Sequence, residues 1–526
     1  MAPSTVGNGP RLCVAMIVRN AADTLETTLK SIAGIADEIV ILDTGSTDDT
    51  VAIAKQSKAL VLKRPWDEDF SAARNHCLAS VMADWVLWLD AGETLSADDA
   101  QSLRQFISLR QAELHKAYGM LVTVPAQTGG ISGERIARIR LLPNLPGIKF
   151  TGRIRESARA SLDLLGIQVD GLPFRIQRGA REHDPQLKIR RARRNLILAD
   201  LEIKERGPQA RLLNCLGDAL QGLGDNQRAA EFFQQSVQLA EKNSTDMLEA
   251  YYGWLTTFDS EPASRQTQLS VCLQALDSFP MDAQLLCAMG GYLQAQGHPD
   301  LAIRSYQTAH QYGKINPETW HLDELREIAA VCHSLALQLK NLPDEARQVL
   351  ESAVAANPKS LRLQHQLIDL HVKMGRRKEA IAQTQQLPAD FPNVEAFRIA
   401  IRGACLASAK NWIGACAYLE TAYKTGCREA LCLRWYSITL VALGHLETAY
   451  PIVKAWIDLE PNNAEAQSFW NSVQPTKASQ SPAAAVSSPP SDKIRRLDNS
   501  ESASDAGPLA PNTRVNQSLP TAPRMS

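Results

Sequence analysis

Six times between Gly224 and Ala449 a turn-forming residue is followed five positions later by alanine: Gly224/Ala229, Gly297/Ala302, Asn341/Ala346, Gly375/Ala380, Lys410/Ala415 and Gly444/Ala449. The last four of these turns are spaced 34, 35 and 34 residues apart. A period of this size implies one supersecondary unit per repeat, each burying its apolar face only against its neighbours. Gly or Asn suits a left-handed turn between two helices, and the small Ala lets those helices approach closely. Gly217 and Gly290 each precede a turn Gly by seven positions, and the 73-residue gap between the first two turns has room for a degenerate unit around 245–280. An all-α solenoid is therefore expected over 205–470.

The chain ahead of the repeats follows another rule. Between residue 11 and about 91, apolar strand candidates alternate with helices: "LCVAMIV" (12–18), "DEIVILD" (37–43), "ALVLK" (59–63) and "DWVLWLD" (84–90). "DTLETTLKSI" puts Leu25, Leu29 and Ile32 on one helical face, with Asp23 and Glu26 at capping-box spacing. "STDDTVAIAKQ" places a hydroxyl cap and two carboxylates at a helix start, and "SAARNHCLASVM" is a third helix. Near-continuous apolar strands joined by helices predict an α/β domain with a mostly parallel, Rossmann-like sheet covered on both faces. Ligands of such sheets sit beyond the carboxyl ends of the strands, where Asp43 and Asp90 both fall. From 92 to 200, "GMLVTVP", "ERIARIRLL", "IKFTGRIRE" and "GLPFRIQR" read as shorter strands extending the same domain, assigned to 11–200.

Composition narrows the function. Lys+Arg is 56 against 57 Asp+Glu, so nothing favours a nucleic-acid or anionic-membrane partner. Residues 1–10 read as a flexible N-terminus without the pattern of a secretion signal, and no apolar run reaches the ~20 residues of a membrane span. Ten cysteines without a C-x-x-C pair read as free thiols in a reducing compartment, which points to the cytoplasm. The Pro/Ser/Ala-rich segment 474–526 has too little apolar surface to offset its ordering entropy and is expected to be disordered.

Taken as letters, Asp43-Thr44-Gly45-Ser46 matches an aspartic-protease signature, but such a protease needs a second matching carboxylate. The chain has no second copy, and a helix start follows where strand would be required. Taken together, "CVAMIVRNAADTLETTLKSI", "DEIVILDTGSTDDTVAIAK", "FSAARNHCLA" and "DWVLWLDAGE" resemble, in order and spacing, family 2 glycosyltransferases of GT-A fold. The repeats that follow resemble tetratricopeptide repeats, as in the bacterial branch that carries them after the transferase. The resemblance implies a nucleotide-sugar donor bound by Arg19, Asn20, Asp43, Arg74, Asn75, Asp90 and Arg155. Asp43 would take the nucleobase, Arg74 the base or phosphate, and Asp90 the ribose and an Mn or Mg ion. Taken singly, Asp43 also fits a residue that only begins a turn, and Arg74 a helix-surface charge.

The chain departs from that family pattern in three places. Asp90-Ala91-Gly92 stands for Asp-x-Asp, Arg155-Glu156 for His-Glu, and Gln177-Arg178-Gly179 for His-x-Gly. Carboxylate and imidazole suit a divalent cation, whereas guanidinium neutralises phosphate directly. Residues 135–159 hold seven Lys/Arg and one acid, Glu156, so the donor pyrophosphate is expected on Arg153, Arg155 or Arg178 with little metal dependence; an ordinary basic surface gives the same count. Glu156 is the candidate catalytic base for an inverting transfer, or else the partner of a neighbouring Arg. The expected function is sugar transfer to an unknown acceptor (protein, glycan or lipid-linked), with the repeats recruiting acceptor or partner protein. The alternative is a catalytically degenerate nucleotide-sugar-binding or scaffold protein.

Overall fold

A computed structural model describes residues 9–109, 113–127, 132–259, 264–388 and 391–474, so the expectations for the first eight residues and for the tail beyond 474 lie outside the described residues. The chain divides into two compact units, one reaching Met374 and the other starting at Gly375.

The first unit opens with β1 (Leu12–Val18), α1 (Ala22–Ile32), β2 (Glu38–Asp43), α2 (Thr50–Gln56), β3 (Leu60–Lys63), α3 (Phe70–Leu78) and β4 (Trp85–Trp88). Strands β3, β2, β1 and β4 lie in that order and are all parallel. The two-residue period of β1 sends Leu12, Val14, Met16 and Val18 into the core under α1, and Cys13 and Ala15 into a second core with Ala73 and Cys77 of α3. Burial on both faces explains why the strands read as unbroken apolar runs.

The sheet continues with β5 (Glu93–Leu95), β6 (Lys116–Val124), β7 (Glu134–Pro143) and β8 (Gln168–Arg178), in the order β4-β7-β6-β8-β5, with β7 antiparallel to β4. The GT-A-like α/β reading thus holds as a mixed sheet with four parallel strands grouped at one edge and a further parallel pair, β6 and β8, beyond β7. The strand expected at "IKFTGRIRE" is absent. Gly152 (φ +106°) and Arg155 (φ +51°) turn this segment back on itself, leaving one bridge between Thr151 and Ser157. The expected capping box is also absent: α1 starts after Ala21, and Glu26 pairs with Lys30 at 2.7 Å.

After α4 (Ala97–Ser108) and α5 (Arg159–Leu164), α6 (Pro185–Arg206) crosses the expected boundary near 200 without a linker. It packs Leu198 and Ala199 against Leu212, Leu213 and Leu216 of α7 (Ala210–Gly222). Helix pairs follow: α7 with α8 (Asn226–Leu239), α9 (Thr245–Thr256) with α10 (Arg265–Ser278), α11 (Ala283–Ala295) with α12 (Pro299–Tyr312), and α13 (Leu325–Leu339) with α14 (Pro343–Ala356). The α9–α10 pair fills the gap in the repeat pattern. In the second unit, helices at 394–408, 412–424, 430–442 and 446–459 keep the period. All six turn residues have positive φ, and all six partner alanines are 0% exposed. A Cβ on Gly217 would lie 2.6 Å from the Phe233 ring, and one on Gly290 2.6 Å from the Tyr306 ring. Each glycine is there to admit the aromatic side chain of the following helix. No helix of the described residues is long and apolar enough to cross a membrane.

Between α12 and α13 the chain leaves the solenoid and lays β9 (His321–Leu322) antiparallel along β7, pairing Arg135 with His321 and Glu134 with Leu322. Since β4 covers Leu141–Pro143 on that side of β7, β9 takes the stretch beyond the carboxyl end of β4. Ala137 N donates to Pro317 O at 2.6 Å and Asp323 N to Gly133 O at 2.8 Å, extending the contact beyond the two paired residues.

Gly290→Val drives branched carbons into the Tyr306 ring. Overpacking of this kind costs about 1–3 kcal/mol, so the urea midpoint of the full chain is expected to fall; an unchanged midpoint would refute the close approach.

Candidate functional site

Strand β4 ends at Trp88, and the chain then turns through Asp90, Ala91 and Gly92 into β5. Glu93 N donates to Asp90 O at 2.9 Å, and Asp90 N donates to Glu93 Oε2 at 3.0 Å. Gly92 has φ +98°, a conformation that a side-chain-bearing residue adopts only with strain. The position where the family pattern has a second carboxylate is therefore a glycine by backbone requirement.

Three guanidiniums converge on Asp90: Arg74 of α3 at 3.5 Å, Arg178 at the end of β8 at 3.6 Å and Arg140 of β7 at 3.7 Å. Glu93, 2% exposed, anchors two of them, Arg140 at 2.7 Å and Arg178 at 3.0 Å. Arg74 gives its Nε to Glu156 at 2.6 Å and lies over the rings of Trp88 (4.9 Å) and Phe150 (5.4 Å). Arg178 also reaches Glu182, which Arg191 holds at 2.7 Å. Burial works against the charge on Asp90, but Arg140, Arg74, Arg178 and Arg191 outweigh it and hold the carboxyl well below the usual range. Arg138, on the same strand as Arg140, is depressed by burial, and the positive charges of Arg155, Arg140 and Arg178 add to the effect. The contacts of Asp90 exceed the ~2.7–2.9 Å of a tight charge-assisted hydrogen bond, and its side chain is 45% exposed. This is an open carboxylate held loosely by three cations, each of which has a closer carboxylate partner.

A divalent cation fits this donor set poorly. Glu93 commits Oε1 to two guanidiniums and Oε2 to a backbone amide, and a metal on Asp90 would face three positive charges across the same oxygens. Among the described residues no three His, Cys, Asp or Glu side chains group to hold a metal.

The other residues named from sequence are placed as follows. Asp43 ends β2, is buried, and accepts from the backbone of its own turn, Ser46 N at 3.1 Å and Gly45 N at 3.3 Å. Its strand and β4 flank β1, so Asp43 and Asp90 share the carboxyl edge with one strand between them. Asn20 accepts from Thr47 N at 2.8 Å, tying the loop after β1 to the loop after β2, while Arg19 is exposed beside it. Asn75 spends both ends of its amide on the backbone of Phe150 (2.8 and 2.9 Å). Of the three arginines considered for the pyrophosphate, only Arg178 faces Asp90. Arg153 pairs with Glu205 at 2.5 Å, and Arg155 with Asp218 at 2.5 Å and Glu249 at 2.6 Å, helical residues of α6, α7 and α9. Sequence reading gave no role to Glu93 and did not single out Arg140. The available signal was a charge inside the apolar run "IARIRLL", which burial permits only with a partner.

Residues 13–112 match the family model described as glycosyl transferase family 2, and residues 210–243 and 340–401 match tetratricopeptide-repeat models. The chain carries a family 2 glycosyltransferase domain followed by tetratricopeptide repeats. Among curated relatives, a TPR repeat-containing protein of Synechococcus elongatus is 36% identical over 155 residues, covering 29% of this chain and 36% of that one. An uncharacterized glycosyltransferase of Rickettsia felis is 30% identical over 108 residues, 20% of this chain and 38% of its own. The SPbeta prophage-derived glycosyltransferase SunS of Bacillus subtilis is 26% identical over 150 residues, 28% of this chain and 34% of its own. The chain thus spans between about a third and two fifths of the length of these relatives. A tetratricopeptide repeat protein of Parabacteroides merdae superposes with TM-score 0.37 at 16% identity over 50% of this chain and 98% of that one, a likeness too loose to argue from.

Two outcomes are expected. Arg140→Met leaves Glu93 buried and half-paired, which typically costs about 3–5 kcal/mol and should appear as a lower unfolding midpoint in urea. Because the folded-state pKa of Asp90 is depressed, its contribution is present above the unfolded value near ~4 and is lost as pH falls below it. Thermal scans between pH 7 and pH 3 should therefore fall less steeply for Asp90→Asn than for wild type.

Proposed function

We propose that the N-terminal domain binds a nucleotide sugar and transfers its sugar, with inversion at the anomeric carbon, to an acceptor brought by the repeats. The observation that carries this reading is the convergence of Arg74, Arg140 and Arg178 on Asp90 at the carboxyl edge of the sheet in a family 2 glycosyltransferase domain. A donor diphosphate laid across these guanidiniums is neutralised by charge-assisted hydrogen bonds, in the role a metal ion would otherwise fill. Arg19, Asn20 and Asp43 stand at the adjoining strand ends and take the nucleoside. Arg155 and Asn75 hold the walls of the site, since their polar atoms are already engaged by the repeats and by Phe150.

The diphosphate competes with Glu156 for Arg74. Once Arg74 turns to phosphate, Glu156 is free to accept the proton of the acceptor nucleophile as its bond to the anomeric carbon forms. The bond from that carbon to the diphosphate breaks, and its electron pair leaves with the phosphate oxygen. The acceptor class, whether protein, glycan or lipid-linked, is left open, as is the protein partner of the repeats. A cytoplasmic location belongs to the same proposal.

One observation favours the rival reading of a degenerate nucleotide-sugar-binding scaffold: Glu156, the only acid offered as base, is held by Arg74 at 2.6 Å. Calorimetric titration of the full chain with UDP, GDP and dTDP, in Mn²⁺ and in EDTA, tests both. The expected result is binding of one nucleotide with the same affinity in either buffer, weakened about 10- to 100-fold by Arg178→Ala, as for the loss of a charge-assisted contact. Failure of all three to bind removes the proposal, and binding of the matching nucleotide sugar without its consumption in the presence of acceptor candidates favours the scaffold.

A further inference from the structure

Strand β9 does more than extend the sheet. The residue before it, Trp320, packs into the transferase core that includes Ile136 and Ile176. The guanidinium of Arg178 lies 6.0 Å from the centre of its ring, within reach of a cation–π attraction. Arg178 is one of the two arginines that link Glu93 to Asp90, so a residue of the repeat region stands directly behind a donor-site cation. The docking is built from both sides. Arg135 Nη1 pairs with Asp323 at 2.9 Å, and Arg135 Nε donates to His321 Nε2 at 3.0 Å, while Nδ1 of that buried imidazole donates to Thr319 O at 2.9 Å. Arg175, three residues before Arg178 on β8, reaches Asp323 at 3.6 Å. The insert therefore grips both β7 and β8, the strands that carry Arg140 and Arg178.

We propose that Trp320, carried on the strand that the repeats insert into the transferase sheet, is a positioning residue for the donor diphosphate: it holds Arg178 over Asp90 and so makes diphosphate affinity depend on docking of the repeats. The proposal rests on the reading of Arg178 as a diphosphate ligand. Without the indole face, Arg178 keeps its bond to Glu93 but loses the wall beside its Nη atoms, which reach Asp90 and Glu182 only at 3.6 Å. The ring itself touches no phosphate, so its effect passes entirely through Arg178.

The test is a double-mutant cycle on the full chain, read as binding of UDP, GDP or dTDP, whichever binds the wild type. Trp320→Leu is expected to weaken binding roughly 3- to 10-fold, in the range of a desolvated cation–π contact, and no more than about twofold further in the Arg178→Ala background. Trp320→Phe, which keeps an aromatic face and a packed core, should bind within about twofold of wild type. Equal losses from Trp320→Leu with and without Arg178 overturn the proposal, as does a Trp320→Phe protein that folds but binds no better than the leucine variant. If instead Arg178→Ala binds like wild type, the diphosphate reading itself fails, whatever Trp320→Leu does.

Discussion

A buried carboxylate must be paired, and Glu93 is paired twice. With its side chain almost wholly out of water, it holds Arg140 and Arg178 on one oxygen and the backbone of the Asp90 turn on the other. Removing either partner would leave this charge half-compensated in a medium where breaking a buried pair costs about 3–5 kcal/mol. That constraint places the two guanidiniums so that one Nη of each reaches Asp90, while the other turns to the Trp88 carbonyl in Arg140 and to Glu182 in Arg178. The turn is closed in the same way, because Gly92 takes a conformation only glycine adopts without strain. The shape of the site follows from this one ion-pair knot.

Charge also joins the repeats to the transferase. Glu202 of α6, fully buried, accepts from the amide of Arg153 at 2.7 Å and pairs with Arg211 of α7, so the loop carrying Glu156 is tied to the first helices of the solenoid. Arg155 adds its bonds to Asp218 and Glu249. The site is walled by helices on one side and by β9 on the other. A scaffold appended through a linker would need none of these bonds.

Much of this was readable from the residues alone. Asp43 and Asp90 stood out because apolar runs end on them, and the repeat turns because positive φ and close helix contact leave few residue choices. Arg140 did not stand out, since its burial depends on Glu93 47 positions away, a pairing that no local pattern records. Arg153 and Arg155 looked like phosphate ligands for the same reason: a basic run states charge, and the acids that consume it lie in helices up to 94 residues downstream. The segment around Phe150 has the composition of a strand, but two residues of positive φ decide otherwise. Trp320 falls between two repeat helices, where a periodic pattern predicts only a connection.

Strand β9 also bears on how the chain is made. Arg135 and His321 are 186 positions apart, so a ribosome must extend the chain through three helical pairs before the outer stretch of β7 finds its partner. Domains ordinarily fold as they emerge, N-terminus first. This one emerges with an unpaired strand edge, the kind of surface on which nascent chains aggregate. The early helices must therefore fold promptly, and they are suited to it: helical pairs rely on contacts close in sequence, which form fast.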